Sequence, residues 1–150
     1  YCIDNNSALE DFKKNIEEVL KKIKKSWYIR SFMPIENYSF GKITIDGVSY
    51  TNDIIILNYP KPLKVIPNWW RKEGHKLQLI DLEKIKQDLP EILIVGTGAS
   101  ECMQVTKEVL DFAKKNKIEL VILGTHMAYK KFNEFINSNK KVCGCLHLTC

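Results

Sequence analysis

Three groups of residues in this 150-residue chain have the types and spacing to do chemistry. The first is the turn Gly96-Thr97-Gly98-Ala99-Ser100, between the apolar run Ile92 to Val95 and a segment with helical periodicity. Glycines at such a junction let backbone N–H groups point at a bound anion, and a following helix adds its positive end. The three-glycine dinucleotide pattern and the Lys-Ser/Thr pair of a phosphate loop are both missing, and Glu101 would itself sit at the helix end. These absences favour a structural tight turn over a phosphate site.

The second group is Asn68-Trp69-Trp70-Arg71-Lys72-Glu73-Gly74-His75, in a stretch that also holds Pro60, Pro62 and Pro67. Two adjacent indoles are buried cheaply only if their N–H groups find partners. Arg71 offers a planar donor fork for a carboxylate or phosphate, with the imidazole of His75 close by in the sequence. Asp53 is a carboxylate that could pair with Arg71, which would make the loop a structural clasp. Binding site and clasp both fit.

The third group is Cys143, Cys145 and His147, which alternate and so share one face of a strand. Side chains at i and i+2 on a strand sit ~7 Å apart. Two sulfurs on one tetrahedral zinc, with bonds of ~2.3 Å, must lie within ~4 Å of each other. A straight strand does not meet that demand; Cys150 could join only if the chain bends. A thiol nucleophile would need a base, and nothing in the sequence brings His147 and Cys150 together.

The elements that must position these groups follow from periodicity. Ser7 and Glu10 form a capping box opening a helix to about Lys25. Leu9, Phe12, Ile16, Val19, Leu20, Ile23 and Trp27 make a stripe along it. That stripe must be buried on the chain's own domain, on a second copy or on a protein partner. After a short connection, Ser31 to Asn37 with Pro34 inside it, Phe40 to Ile45 and Val48 to Thr51 flank Asp46-Gly47, the signature of a type I′ hairpin. Ile54 to Leu57 reads as a strand covered on both faces, and the prolines that follow argue against regular structure through Pro67. Leu77 and Leu79 alternate as in a short strand, and Asp81 is expected to cap a brief helix ending near Pro90. Ile92 to Val95, Ile118 to Leu123 and Val142 to Leu148 then alternate with two helices. The first of these carries Cys102, Val105, Val109, Phe112 and Ala113. The second carries Ala128, Phe132, Phe135 and Ile136. This order implies right-handed crossovers and a mixed, largely parallel sheet.

Composition sets the class. An apolar fraction of 45% and a charged fraction of 27% are globular values. The net charge of +5 is scattered in lysine pairs, without the Lys/Arg stripe interleaved with aromatics that marks a nucleic-acid binder. Four acids in the first helix oppose an anionic membrane surface. No apolar run approaches the ~20 residues a membrane helix needs, and no charged-then-apolar segment opens the chain. Five cysteines, an odd number clustered late, read as reduced thiols of a cytoplasmic protein. Neither nucleic acid nor membrane is an expected partner.

Ser39-Phe40-Gly41-Lys42-Ile43, Asp46-Gly47, Tyr50, Asp53, Trp69-Trp70-Arg71, Gly74-His75, Gly96-Thr97-Gly98, Thr125, Asn133 and His147-Leu148-Thr149-Cys150 follow one another in order. As an ordered set, these residues resemble the Mth-nine-three-eight domain family, a domain of unknown function, over about residues 38–150. The resemblance implies an α/β, three-layer domain with a mixed sheet and a cleft near the Arg71 loop and the glycine turn. It brings no catalytic mechanism. Residues 1–34 are then an extension, an amphipathic helix and linker outside the family core.

The expected function is that of a non-catalytic interaction or assembly-type protein, docking a second copy or a protein partner through the N-terminal helix. The alternative is a small anionic-ligand-binding protein or enzyme. Its candidate ligand-binding residues are Asp53, Trp70, Arg71, His75, Gly96, Thr97, Gly98 and Thr125. No catalytic residue, metal or cofactor is assigned.

Overall fold

Isoleucine- and valine-rich runs with no polar position can be buried only as strands covered on both faces. In the computed structural model, which describes residues 10–20 and 33–150, the runs predicted from sequence are neighbours in one sheet. The chain divides into two units, Tyr1–Phe32 and Met33–Cys150.

In the first unit, residues 10–20 form helix α1, as the stripe predicts. The Ser7 cap, Leu9, Ile23, Trp27 and the continuation to Lys25 lie outside the described residues, as does Cys2.

The second unit begins with an antiparallel three-stranded sheet, β1 (Ile35–Ser39), β2 (Lys42–Ile45) and β3 (Val48–Tyr50). Asp46 and Gly47 join β2 to β3 with φ of 48° and 76°, the left-handed pair a type I′ turn requires. The central sheet has five strands in the order β5 (Lys64–Ile66), β4 (Ile54–Leu57), β10 (Val142–His147), β7 (Ile92–Thr97) and β9 (Glu119–Leu123). β10 pairs parallel with β7, which pairs parallel with β9, while β4 runs antiparallel to both β10 and β5. Only β4 therefore opposes the common direction, and the sheet is mixed as expected.

The sheet divides two cores by simple alternation. Ile55, Leu57, Leu93, Val95, Cys143 and Cys145 face Leu82, Ile85, Val109 and Ala113. These come from a 3-10 turn (Leu79–Ile85) and helix α2 (Lys107–Lys115). Ile54, Ile56, Ile92, Ile94, Val142 and Leu146 face the opposite way, onto Ile43, Ile45, Ala128 and Phe132. Those belong to the N-terminal sheet and helix α3 (Thr125–Phe135). The unit is an α/β fold of three layers.

Four details differ from the periodicity. Asp81 is not the cap of the 3-10 turn; Gln78 is, and the Asp81 carboxylate accepts its N–H at 2.8 Å. β5 forms between Pro62 and Pro67, because a proline is tolerated at the end of an edge strand where no ladder hydrogen bond is lost. Residues 35–37, expected as connection, belong to β1; Asn133 of α3 holds Ile35 by bonds to its N–H (3.2 Å) and its carbonyl (2.7 Å). The glycine turn does not open a helix. Glu101 takes a left-handed φ of 56°, and Gln104–Val105 forms β8, paired parallel with β6 (Lys76–Leu77). Thr106 then bonds Leu77 O through its backbone N–H and its hydroxyl, so α2 starts only at Lys107.

Candidate functional site

The C-terminal end of β10 is where chain segments from four parts of the unit converge. His147 is the last residue of β10 and pairs with Thr97, the last of β7. Asp53 immediately precedes β4, the neighbour of β10 on its other side. The Arg71 loop covers this end of the sheet, and the residues after His147 run out between the loop and the glycine turn.

The loop is pinned rather than free. The Trp69 N–H donates to Asp53 O (2.7 Å), and its indole N–H donates to Asp81 O (3.0 Å). The Asp81 carboxylate accepts the Lys72 N–H at 3.0 Å. Trp69 is buried, with the Arg71 guanidinium 4.9 Å above its ring, whereas Trp70 is 76% exposed. Of the two indoles, the one whose N–H has a protein partner is the one inside.

Arg71 is buried and its donors are occupied. Nη1 donates to Asp53 Oδ2 at 2.6 Å, while Nη2 (2.7 Å) and Nε (3.3 Å) donate to Gly74 O. Asp53 is equally committed: Oδ1 accepts the Leu148 N–H at 2.8 Å, and Oδ2 lies 2.9 Å from His147 Nδ1. Arg71 Nη2 is also 3.0 Å from that nitrogen, but an arginine nitrogen can only donate. We assign the His147 proton to Nδ1, because a bare lone pair there would face the carboxylate at 2.9 Å. Nε2 is left as an acceptor. Burial works to raise the Asp53 carboxyl, but hydrogen bonds from His147 and Leu148, with the Arg71 charge, outweigh it and hold the group below its ordinary value.

The glycine turn serves the same end of β10. The Gly98 N–H donates to Thr125 Oγ1 (2.9 Å), which in turn donates to His147 O at 2.5 Å. The Ala99 N–H donates to Thr149 O at 2.6 Å. Gly98 has a φ of 99°, and a Cβ there would stand 1.8 Å from Cys150 O. Gly96 lies within β7, and Thr97 donates its hydroxyl to Leu123 O at 3.1 Å. The turn therefore receives Thr149 and Cys150 where an anion was the alternative.

Cys150 emerges from this packing against His75, with Sγ 2.9 Å from Nε2. The His75 and His147 rings are 6.1 Å apart, edge to face. Ligand atoms of His75, His147 and Cys150 all lie within 4.8 Å of one another. Their chemistry, two imidazoles and a thiol, suits either a thiol–imidazole pair or a borderline-soft metal ion. Cys143 and Cys145, the other sulfurs considered, have Sγ atoms 4.0 Å apart, closer than the ~7 Å expected of a straight strand because the side chains lean toward each other, but they are fully buried in the apolar core. Burial pushes the Cys143 thiol well above its ordinary value, so it stays neutral.

Of the residues singled out from sequence, Asp53 and Arg71 bond each other, and Gly98 and Thr125 join them through β10. His75 stands at the rim and Trp70 outside it. The convergence of Cys150 on His75 had no sequence signal, because 75 residues separate them. Beside Trp70 a shallow groove of about 440 Å³ opens, also lined by Thr51, Asn52, Asp53, Asn68, Trp69 and Thr149, so that Asp53 and Trp70 share it.

The family described as protein of unknown function (DUF498/DUF598) matches residues 35–147. Among solved structures, the chain is similar to a conserved hypothetical protein from Pyrococcus horikoshii OT3. That likeness has 25% identity and a TM-score of 0.64, covering 77% of this chain and 98% of the other. A structure described as MT938 is 24% identical with a TM-score of 0.61, covering 77% and 97%. A Bordetella pertussis protein described as an Mth938-like domain is 16% identical with a TM-score of 0.51, covering 79% and 87%. The last two show the fold alone.

Proposed function

This chain belongs to the DUF498/DUF598 family of proteins of unknown function, and we propose that it is a non-catalytic interaction or assembly-type protein. The observation that carries this reading is Trp70, 76% exposed on a loop pinned at Trp69, Arg71 and Lys72. A large amphipathic ring held on a rigid loop loses little freedom when a partner covers it, which is why tryptophan anchors so many protein interfaces. The amides of Asn52 and Asn68, 2.9 Å from each other, line the groove at its side and offer hydrogen bonds to a docked segment.

The second element is α1, assigned to a second copy or another protein. Phe12, Ile16, Val19 and Leu20 are 43–62% exposed and repeat at helical spacing. The domain proper starts by Ile35, the first residue of β1 and of the family match, and α1 belongs to the unit before it. A cytoplasmic setting belongs to the same reading: Cys102, Cys143, Cys145 and Cys150 are all free thiols, the form a reducing compartment keeps. Among the described residues no helix is long and apolar enough to cross a membrane.

The anion-binding alternative has less support, because Arg71 and the Gly98 and Ala99 N–H groups already have partners inside the protein. The test is affinity capture from native lysate with quantitation, using the full chain, Trp70→Ala and an α1 variant carrying Phe12→Ser and Ile16→Ser. A partner, or a second copy, whose recovery falls in one of the variants supports the reading. A strictly monomeric chain with no partner sensitive to either variant refutes it.

A further inference from the structure

We propose that His75, His147 and Cys150 form a binding site for a borderline-soft divalent metal ion, zinc foremost, with one coordination position open. The donors come from three separate segments: the end of the Arg71 loop, the end of β10 and the chain beyond it. Their ligand atoms lie within 4.8 Å of one another. Bonds of ~2.0–2.1 Å to nitrogen and ~2.3 Å to sulfur in a tetrahedron place such atoms ~3.3–3.6 Å apart. His75 Nε2 and Cys150 Sγ are now at 2.9 Å and must part slightly, while the wider separations, within 4.8 Å, must close by up to ~1.5 Å to admit the ion.

The geometry behind His147 is the second, independent observation. Its Nδ1–H is held by Asp53 at 2.9 Å, which fixes the ring and leaves Nε2, 3.5 Å from Thr149 Oγ1, as the nitrogen available to ligate. A carboxylate behind a ligating histidine is the usual outer-shell support of a metal site, orienting the ring and raising its basicity. Asp53 is itself held by Arg71 and the Leu148 N–H, so the support is rigid. Burial then grades from one ligand to the next: His147 is buried, Cys150 intermediate and His75 exposed. The ion enters from the His75 side, and a water completes the open position there. Ligation converts the Cys150 thiol to thiolate, releasing one proton to solvent for each ion bound.

The same residues could be read as a thiol nucleophile with its base. That reading lacks a place for a developing oxyanion, because the nearby Gly98 and Ala99 N–H groups donate to Thr125 Oγ1 and Thr149 O. Two imidazoles converging on one sulfur fit a metal better than a single proton transfer.

The metal site does not depend on the interaction reading, and its test uses no partner. The reduced full chain is titrated anaerobically with Co²⁺ and then with Zn²⁺. The expected result is one Co²⁺ per chain, with thiolate-to-cobalt charge-transfer absorption and the intense visible bands of tetrahedral cobalt, both abolished by Zn²⁺. Cys150→Ser removes the charge-transfer absorption, and His75→Asn weakens binding by more than the ~10-fold that loss of an outer-shell partner costs. Both substitutions lie outside the cores, so the variants fold; far-UV circular dichroism checks this. An unchanged cobalt spectrum in Cys150→Ser or His75→Asn overturns the assignment, since the ion would then sit on other thiols. So does a parent protein that shows no thiolate–cobalt absorption at stoichiometric metal.

Discussion

His147 Nδ1 lies 2.9 Å from Asp53 Oδ2, a contact made across 94 residues of chain. It joins the last residue of the central strand to the residue preceding its antiparallel neighbour, and Arg71 Nη1 completes the clasp at 2.6 Å. Around this junction the loop, the glycine turn and the C-terminal segment are all tied down. The charged groups that looked most chemical in the sequence are the ones holding the sheet's end together.

The clasp makes stability depend on acid pH. The folded Asp53 carboxyl titrates below its unfolded value of ~3.9, so its contribution is present above about pH 4 and is lost as pH falls through the folded value. Urea unfolding at stepped acid pH should show a falling limb in the parent. In Asp53→Asn that limb flattens by up to ~1.4 kcal/mol per pH unit, the effect of one proton. Superimposable limbs would mean that Asp53 titrates alike in both states.

Thr125 should prove structural through its hydroxyl. Thr125→Val leaves the Gly98 N–H and the His147 carbonyl without their buried partner, a loss of ~1–3 kcal/mol by chemical unfolding. Thr125→Ser keeps both bonds and should lose clearly less. Equal losses would mean that the methyl group matters as much as the hydroxyl.

Gly98→Ala should displace the C-terminal segment. A left-handed φ costs a non-glycine residue ~1–2 kcal/mol, and the new methyl overlaps Cys150 O, 1.8 Å from the Cβ position. Amide hydrogen exchange at Ala99 and Leu148 reports the result: faster exchange at both is expected. Parent-like protection would contradict the close packing of the turn on Thr149 and Cys150.

The paired indoles should behave in opposite ways. Trp69→Ala removes a buried ring and is expected to cost ~3–5 kcal/mol. Trp70→Ala should change stability by less than ~0.5 kcal/mol, as exposed substitutions do. Thermal unfolding of both variants decides it, and a strongly destabilised Trp70→Ala would mean that this ring has a structural role.

Much of the fold was legible because it rests on local signals. Unbroken apolar runs marked β4 and β7, alternation with the two helices marked β10, and Asp46-Gly47 marked its hairpin. β5 was hidden by flanking prolines that only an edge strand tolerates, and β8 by a helical periodicity that pairing with β6 overrides. The site divides in the same way. Arg71 with Asp53 could be named as a pair from charge alone, as one of two readings. Its third member, His147, could not, since nothing local in Cys145–Thr149 reports a carboxylate bound from β4's edge. The anion reading of Gly96–Ser100 assumed a helix dipole that the left-handed turn at Glu101 removes.

The most direct test of the account is urea unfolding of the full chain and of Arg71→Met, each with and without added phosphate. A clasp predicts that Arg71→Met loses ~1.5–3 kcal/mol, the worth of a charged hydrogen-bond partner to a half-buried carboxylate that keeps His147 and Leu148, by the same amount whether or not the anion is present. A variant as stable as the parent without phosphate, but lacking a stabilisation that phosphate gives the parent, would contradict it and return Arg71 to the role of ligand.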